Sequence, residues 1–164
     1  MRRIARLTPH LRPLSTSAPP PPPIEVVQFP CRSDNYGYLI HDASTGSTAA
    51  VDTPGVSDIM DQIQKRGWTL THILNTHHHD DHAGGNLELK ELTGCTIVGP
   101  KADFERIPGI DIEVAQGDRF ALGVGGAVAT VLDTPGHTKG HVCYVFEEHR
   151  AAFVGDTLFS MVGR

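Results

Sequence analysis

The sequence predicts a mixed α/β sandwich with its chemistry placed at strand ends, and three observations lead there. Short β-branched or alternating runs recur between residues 24 and 154, one stretch near residue 60 switches to helical spacing, and His and Asp residues beside glycines follow several of the predicted strands. A chain of 164 residues holds one core of ordinary size and leaves no room for two.

In chain order, Ile24–Phe29, Tyr36–His41 and Thr48–Asp52 read as a meander of strands, with Asn35, Gly37, Ser44 and Gly46 as turn residues. Val56, Ile59, Met60 and Ile63 fall at i, i+3, i+4 and i+7, the spacing of one buried helical face, and Gly67 closes that helix. Leu70–Asn75 is a strand again. Asn86–Thr93 is a short helix ended by Gly94, and Thr96–Val98, Asp118–Phe120, Val128–Leu132, Val142–Phe146 and Ala151–Val154 are further strands. Gly123, Gly125 and Gly126 read as a hairpin turn, because a phosphate loop would carry a following Lys and open a helix.

Residues 1–23 stand apart. Their basic residues are all arginines (Arg2, Arg3, Arg6, Arg12), no acid precedes Glu25, and Ser15, Thr16 and Ser17 lead into Pro19–Pro23. That composition is expected of an organelle transit peptide, with a disordered basic tail as the alternative, and the folded domain is expected over residues 24–164. Import into the mitochondrial matrix is the expectation, with plastid and cytoplasm as alternatives. The net charge of −5 becomes more negative once the leader is set aside, which argues against a nucleic-acid-binding surface. Cys31, Cys95 and Cys143 are odd in number and form no CxxC pair, so reduced, buried thiols are expected. No apolar run approaches the roughly 18 residues of a spanning helix, so no membrane association is expected, and the chain reads as a monomer.

Thr76-His77-His78-His79-Asp80-Asp81-His82 follows the strand Leu70–Asn75. In extended chain His77, His79 and Asp81 can share one face while His78 and Asp80 take the other, and His82, entering the Ala83-Gly84-Gly85 turn, can swing back beside Asp81. Imidazoles for one ion and a carboxylate with an imidazole for a second form the N and O donor mixture that zinc, iron and manganese accept. Two further pieces fall at strand ends, His137 in Asp133-Thr134-Pro135-Gly136-His137-Thr138-Lys139-Gly140-His141 and Asp156 in Gly155-Asp156-Thr157-Leu158-Phe159. Glycines beside each candidate let the backbone turn sharply.

These segments resemble the metallo-β-lactamase fold, whose HxHxDH signature THHHDDH matches, and the expected architecture becomes its αββα sandwich, incomplete at the C-terminus. Ser33-Asp34-Asn35-Tyr36, Ile73-Leu74-Asn75, Gly99–Asp103 with Glu105–Asp111, and Gly155–Phe159 resemble more narrowly the glyoxalase II, or hydroxyacylglutathione hydrolase, family. The resemblance spans residues 24–164. It implies that His77, His79 and His137 hold a first metal, Asp81 and His82 a second, and that Asp156 bridges them, while His78, Asp80 and His141 are not ligands. His141 is left either as a residue orienting a ligand or as a buried structural one. His10, His41, His72 and His149 sit in no motif.

The activity implied is hydrolysis of a glutathione thioester such as S-lactoylglutathione with two divalent ions, expected to be zinc, with iron or manganese as alternatives. A metal brings the pKa of water from 15.7 towards about 7, Asp81 is the residue expected to aim that nucleophile, and a thiolate leaves without a strong general acid. Arg164 corresponds to a basic residue that contacts glutathione in this family, a solvated terminal arginine being the alternative. Chains of the family continue well past Arg164 and carry there a further histidine ligand of the second metal, the remaining sandwich elements and most glutathione contacts. A fragment of the enzyme is therefore expected. The alternatives are a non-catalytic metal-binding product and a persulfide dioxygenase-like enzyme with a single iron.

Overall fold

The computed structural model describes residues 23–159, so the expectations for the leader and for Arg164 lie outside the described residues. The strands form two sheets. In the first, β1 (Ile24–Cys31), β2 (Asn35–Asp42), β3 (Ser47–Val51), β4 (Leu70–Leu74), β5 (Thr96–Pro100) and β6 (Ile112–Val114) lie side by side in chain order. β1, β2 and β3 are antiparallel hairpin neighbours, whereas β3 through β6 run parallel. The second sheet is antiparallel throughout, in the order β10 (Ala151–Phe153), β9 (Val142–Phe146), β8 (Val128–Asp133), β7 (Arg119–Ala121).

The parallel pairs need crossovers, and the sequence supplies helices for them. α1 (Val56–Arg66) joins β3 to β4, and its Ile59 and Ile63, one turn apart, are buried. Gly67 ends it at φ 64°, in the left-handed conformation that glycine adopts without cost. α2 (Asp80–Ala83) and α3 (Asn86–Thr93) lie between β4 and β5.

Successive residues of the central strands enter different cores, so the single core expected from the length is corrected to two, one on each face of the first sheet. Leu39, Ala50, Ile73 and Ile97 pack with Ile59, Ile63 and Leu89 of the helices. Their neighbours Ile40, Ala49, Leu74 and Val98 pack with Val131, Tyr144, Phe146 and Phe153 of the second sheet. Because strand side chains alternate faces, these strands must be apolar on both sides, which is why they read as continuous apolar runs. The result is three layers, helix on sheet on sheet.

Among the strands and α-helices, two differ from the sequence reading. β6 was not foreseen, being three residues long with Ile112 and Glu113 exposed. The segment after His79 turns into α2 instead of remaining extended, so Asp81 reaches the site from a helical turn and not by strand alternation. The glycine-rich stretch is a hairpin connection as expected, closed by the Leu122 N–H donating to the Ala127 carbonyl at 2.8 Å.

The candidate ligands and their partners sit at one end of the sandwich. Asp52 follows β3, residues 75–79 follow β4, Asp103 follows β5, residues 134–141 join β8 to β9, and Asp156 follows β10. The carboxyl ends of parallel strands are where open α/β sheets place their ligands.

Candidate metal centre

The two sheets are tied together at this end by main-chain contacts. The Val142 N–H donates to the Thr76 carbonyl at 2.9 Å, and the buried Tyr144 hydroxyl donates to the Asn75 carbonyl at 2.9 Å. Asn75 also exchanges side-chain hydrogen bonds with Asn86, fixing the end of β4 against the start of α3.

On this base three imidazoles converge. His77 Nε2 lies 3.1 Å from His79 Nδ1, which lies 2.9 Å from His137 Nε2. Nitrogens bound to one tetrahedral ion at about 2.0–2.1 Å stand about 3.3 Å apart, so this spacing fits a divalent cation at the centre. Protonation states agree. The Thr76 hydroxyl donates to Asp52 and sits 3.1 Å from His77 Nδ1, which places the His77 proton on Nδ1 and leaves the Nε2 lone pair free. Burial, reinforced by the surrounding imidazoles of His82, His141, His79 and His137, pushes the His77 pKa down to about 2. Burial and the neighbouring His137 and His78 lower that of His79 as well. Neutral imidazole is the form that ligates metal.

A second group meets beside the first, combining His77, His82 and Asp156. His82 Nε2 faces Asp156 Oδ1 at 3.2 Å and Asp81 Oδ2 at 3.4 Å. Asp156 Oδ2 faces His137 Nε2 at 3.3 Å. One carboxylate thus spans both groups, an oxygen toward each. Burial favours the neutral form of His82, but its hydrogen bond to Asp52 and the charges of Asp52, Asp156 and Asp81 outweigh this and raise its pKa. Burial likewise opposes the charge on Asp81, yet the Asn35 side-chain amide, donating at 3.0 Å, and the nearby His82 keep its pKa below the usual carboxylate value.

Of the expected ligands, His77, His79, His82, His137 and Asp156 fall in these two groups, Asp81 reaches them through His82, and His78 and Asp80 have other partners. Asp80 pairs with Arg32 at 3.3 Å, and His78 turns away to Asp103. His141 is buried and bonded to the segment that carries Asp156. Its Nε2 accepts the Asp156 backbone N–H at 3.1 Å, while Nδ1 lies 2.8 Å from the Thr134 hydroxyl. Burial lowers the His141 pKa and so preserves that acceptor. Gly155, at φ 47°, is required here, since a Cβ would stand 2.5 Å from Thr76 Oγ1 and 2.7 Å from His141 Nε2.

Asp52 and Asn35 are the site residues that sequence reasoning missed. Asp52 is buried at φ 59°, with Oδ1 accepting the Thr76 N–H at 2.8 Å and Oδ2 facing His82 Nδ1 at 2.8 Å. A signal existed. Asp-Thr-Pro-Gly occurs at residues 52–55 and again at 133–136. The two threonines play matching parts, Thr53 bonding the His82 carbonyl and Thr134 the His141 ring.

The fold and donor set define a member of the metallo-beta-lactamase superfamily, and the sequence profile of that superfamily matches residues 34–162, so the chain belongs to it. Among curated relatives, the hydroxyacylglutathione hydrolases of Hyphomonas neptunium and Methylococcus capsulatus are each 52% identical over 138 residues, 84% of this chain and 53% of theirs. The chain thus spans about half the length of the curated relatives it matches. Among solved structures, ETHE1 from Myxococcus xanthus superposes with a TM-score of 0.63 at 31% identity, covering 74% of this chain and 53% of that one. The BLEG-1 B3 metallo-beta-lactamase superposes with a TM-score of 0.73 at 18% identity, covering 82% and 73%, a likeness of fold alone. All three cysteines are free and buried, and no helix among the described residues is long and apolar enough to cross a membrane.

Proposed function

We propose that the protein is a metal-dependent thioester hydrolase that cleaves S-(2-hydroxyacyl)glutathione, such as S-lactoylglutathione, to glutathione and a 2-hydroxy acid. The observation that carries this reading is the Asp156 carboxylate, which offers one oxygen to the His77–His79–His137 group and one to His82. That arrangement suits two ions side by side, and about half of the residues match relatives named hydroxyacylglutathione hydrolase.

In this reading His77, His79 and His137 would hold the first ion, Asp81 and His82 the second, and Asp156 would be shared between them. The mixed N and O set suits zinc, with iron and manganese as alternatives. Bound there, divalent ions supply Lewis acidity toward the acyl carbonyl and bring the pKa of water into the neutral range. The remaining work falls to the chain. Asp81, held ionised by Asn35, accepts a hydrogen bond from the attacking water and aims it. Asp52 holds the His82 ring through Nδ1 so that Nε2 faces the centre, and His141 fixes the backbone of Asp156. A cleft of about 590 Å³ opens beside Asp81, His82 and Asp156, within the range of small-ligand sites. Arg164 is proposed as a contact for a glutathione carboxylate, and the arginine-rich leader supports delivery to the mitochondrial matrix.

Thiol release from S-lactoylglutathione, followed with a thiol reagent, tests the reaction. The metal-loaded protein is expected to turn over, and His79→Ala or Asp156→Ala to lose at least about a hundredfold. No thiol release by the unsubstituted protein would sink the reaction, and unchanged turnover in either variant would sink the site.

A further inference from the structure

The stretch Gly99–Asp111, singled out in the sequence, supplies none of the donors described above. Its Asp103 closes a single 3₁₀ turn, Lys101–Asp103, directly after β5. The side chain is fully buried, with 0% of its surface exposed. A carboxylate removed from water in this way is costly unless each oxygen finds a partner. Both do. Oδ2 lies 2.8 Å from His78 Nδ1, and Oδ1 receives the Arg106 guanidinium. The Asp103 carbonyl accepts the N–H groups of Arg106 and Ile107 at 2.8 and 3.0 Å, which fixes the turn itself.

Besides Arg106, this carboxylate has two neighbours that lead to the metal centre. His78 stands between His77 and His79 in a segment, residues 77–79, that lies outside helix and strand. A side-chain anchor there sets the backbone from which both flanking rings project. On its other side Asp103 fills the space beside Gly140, three residues after His137, where an added Cβ would collide with Asp103 Oδ1 and Cγ. One buried carboxylate therefore touches both loops that carry the converging imidazoles, one by a directional hydrogen bond and one by close packing. The two loops come from different sheets, and Asp103 belongs to a third segment between them.

We propose that Asp103 is a positioning residue for the first metal site, clasping the His78 and Gly140 segments so that His77, His79 and His137 meet. This rests on the reading that those three imidazoles hold a metal ion. A group whose only task was to fill the space could be apolar. A charged acceptor with two directional partners instead holds its neighbours in one orientation, the way residues behind metal ligands act.

Cobalt(II) is the probe, because its binding can be competed with a chromophoric chelator and its visible absorption reports donor number and geometry. Asp103→Ala and His78→Ala are each expected to weaken cobalt binding roughly ten- to a hundredfold and to change the absorption band. The double variant should bind no more weakly than Asp103→Ala alone, since His78→Ala breaks a tie that Asp103→Ala has already lost. Asp103→Asn, which keeps an acceptor for the His78 N–H, should recover part of the affinity. Ile59→Ala, remote in the helix-side core, should lower the unfolding midpoint while leaving the cobalt affinity and spectrum unchanged. If Asp103→Ala and His78→Ala behave like Ile59→Ala, the positioning role is overturned while the metal site stands. If the unsubstituted protein binds cobalt no better than His79→Ala, the metal-site reading itself fails, and the proposal with it. His78 is 22% exposed, so its variant carries the test should Asp103→Ala not fold.

Discussion

The carboxylate of Asp52 lies 2.8 Å from His82 Nδ1 and at the same distance from the hydroxyl of Thr76, so a residue outside the donor cluster orients one donor and braces the segment leading to the next. Asp52→Ala is expected to weaken metal binding at the His82 position by roughly ten- to a hundredfold. Metal analysis across a zinc titration should then show poorer retention of the second equivalent in Asp52→Ala than in the unsubstituted protein. Equal retention would show that His82 needs no such support.

Metal removal should destabilise the fold, because an ion that binds only the native state adds its binding free energy to stability. Chelator treatment is expected to lower the unfolding midpoint, zinc to restore it, and His79→Ala to abolish the response. Differential scanning calorimetry with and without chelator decides this; a midpoint indifferent to zinc would contradict a preassembled cation site.

Gly155→Ala should be disproportionately damaging for a single methyl group. The added carbon meets Thr76 Oγ1 and His141 Nε2 at a backbone φ of 47°, and overpacking of this kind costs about 1–3 kcal/mol. The expected outcome is a lowered urea midpoint together with weaker metal retention, since the same carbon displaces His141 from Asp156. A variant with native metal content would detach Asp156 from that contact.

Asp42 gives the stability a defined pH dependence. Its Oδ1 accepts the backbone N–H and hydroxyl of Ser44 at 2.9 and 2.6 Å, and its Oδ2 accepts the Ala127 N–H at 2.7 Å, which joins the β2–β3 turn to the second sheet. Burial acts against the charge, but these hydrogen bonds outweigh it and hold the pKa below the ordinary carboxylate value. A carboxylate whose pKa is depressed on folding stabilises fully above its unfolded pKa of about 3.9 and loses that contribution as pH falls through the lower folded value. Asp42→Asn should therefore be less stable than the parent at neutral pH, by about 1–3 kcal/mol, with the gap closing below about pH 4. Urea titrations across pH 3 to 7 test it, and a gap that widens in acid contradicts the assignment.

What was legible in the sequence follows from what each element depends on. Ile73-Leu74 and Ile97-Val98 announce buried strands because both faces meet apolar layers, and Ile59 with Ile63 announces a helix because one face does. His77, His79, His137 and Asp156 are visible because ligand chemistry at three separate strand ends is rarely produced otherwise. α2 was missed because Asp80-Asp81-His82-Ala83 forms one turn with no apolar period, held by the His79 carbonyl accepting the His82 and Ala83 N–H groups. Asp52, Asn35 and Asp103 were missed as site residues for a different reason. Each acts on a partner far along the chain, His82, Asp81 and His78 respectively, and such pairing exists only after the layers have docked.

The Val142–Thr76 and Tyr144–Asn75 hydrogen bonds have a consequence for how the protein matures. His77 and His79 come from one sheet, and His137 and Asp156 from the other. An intermediate with formed but undocked sheets would own only part of each donor group and grip an ion feebly. Tight metal capture is then a late event in folding, and the visible colour of cobalt becomes a clock for the moment the two halves of the sandwich close.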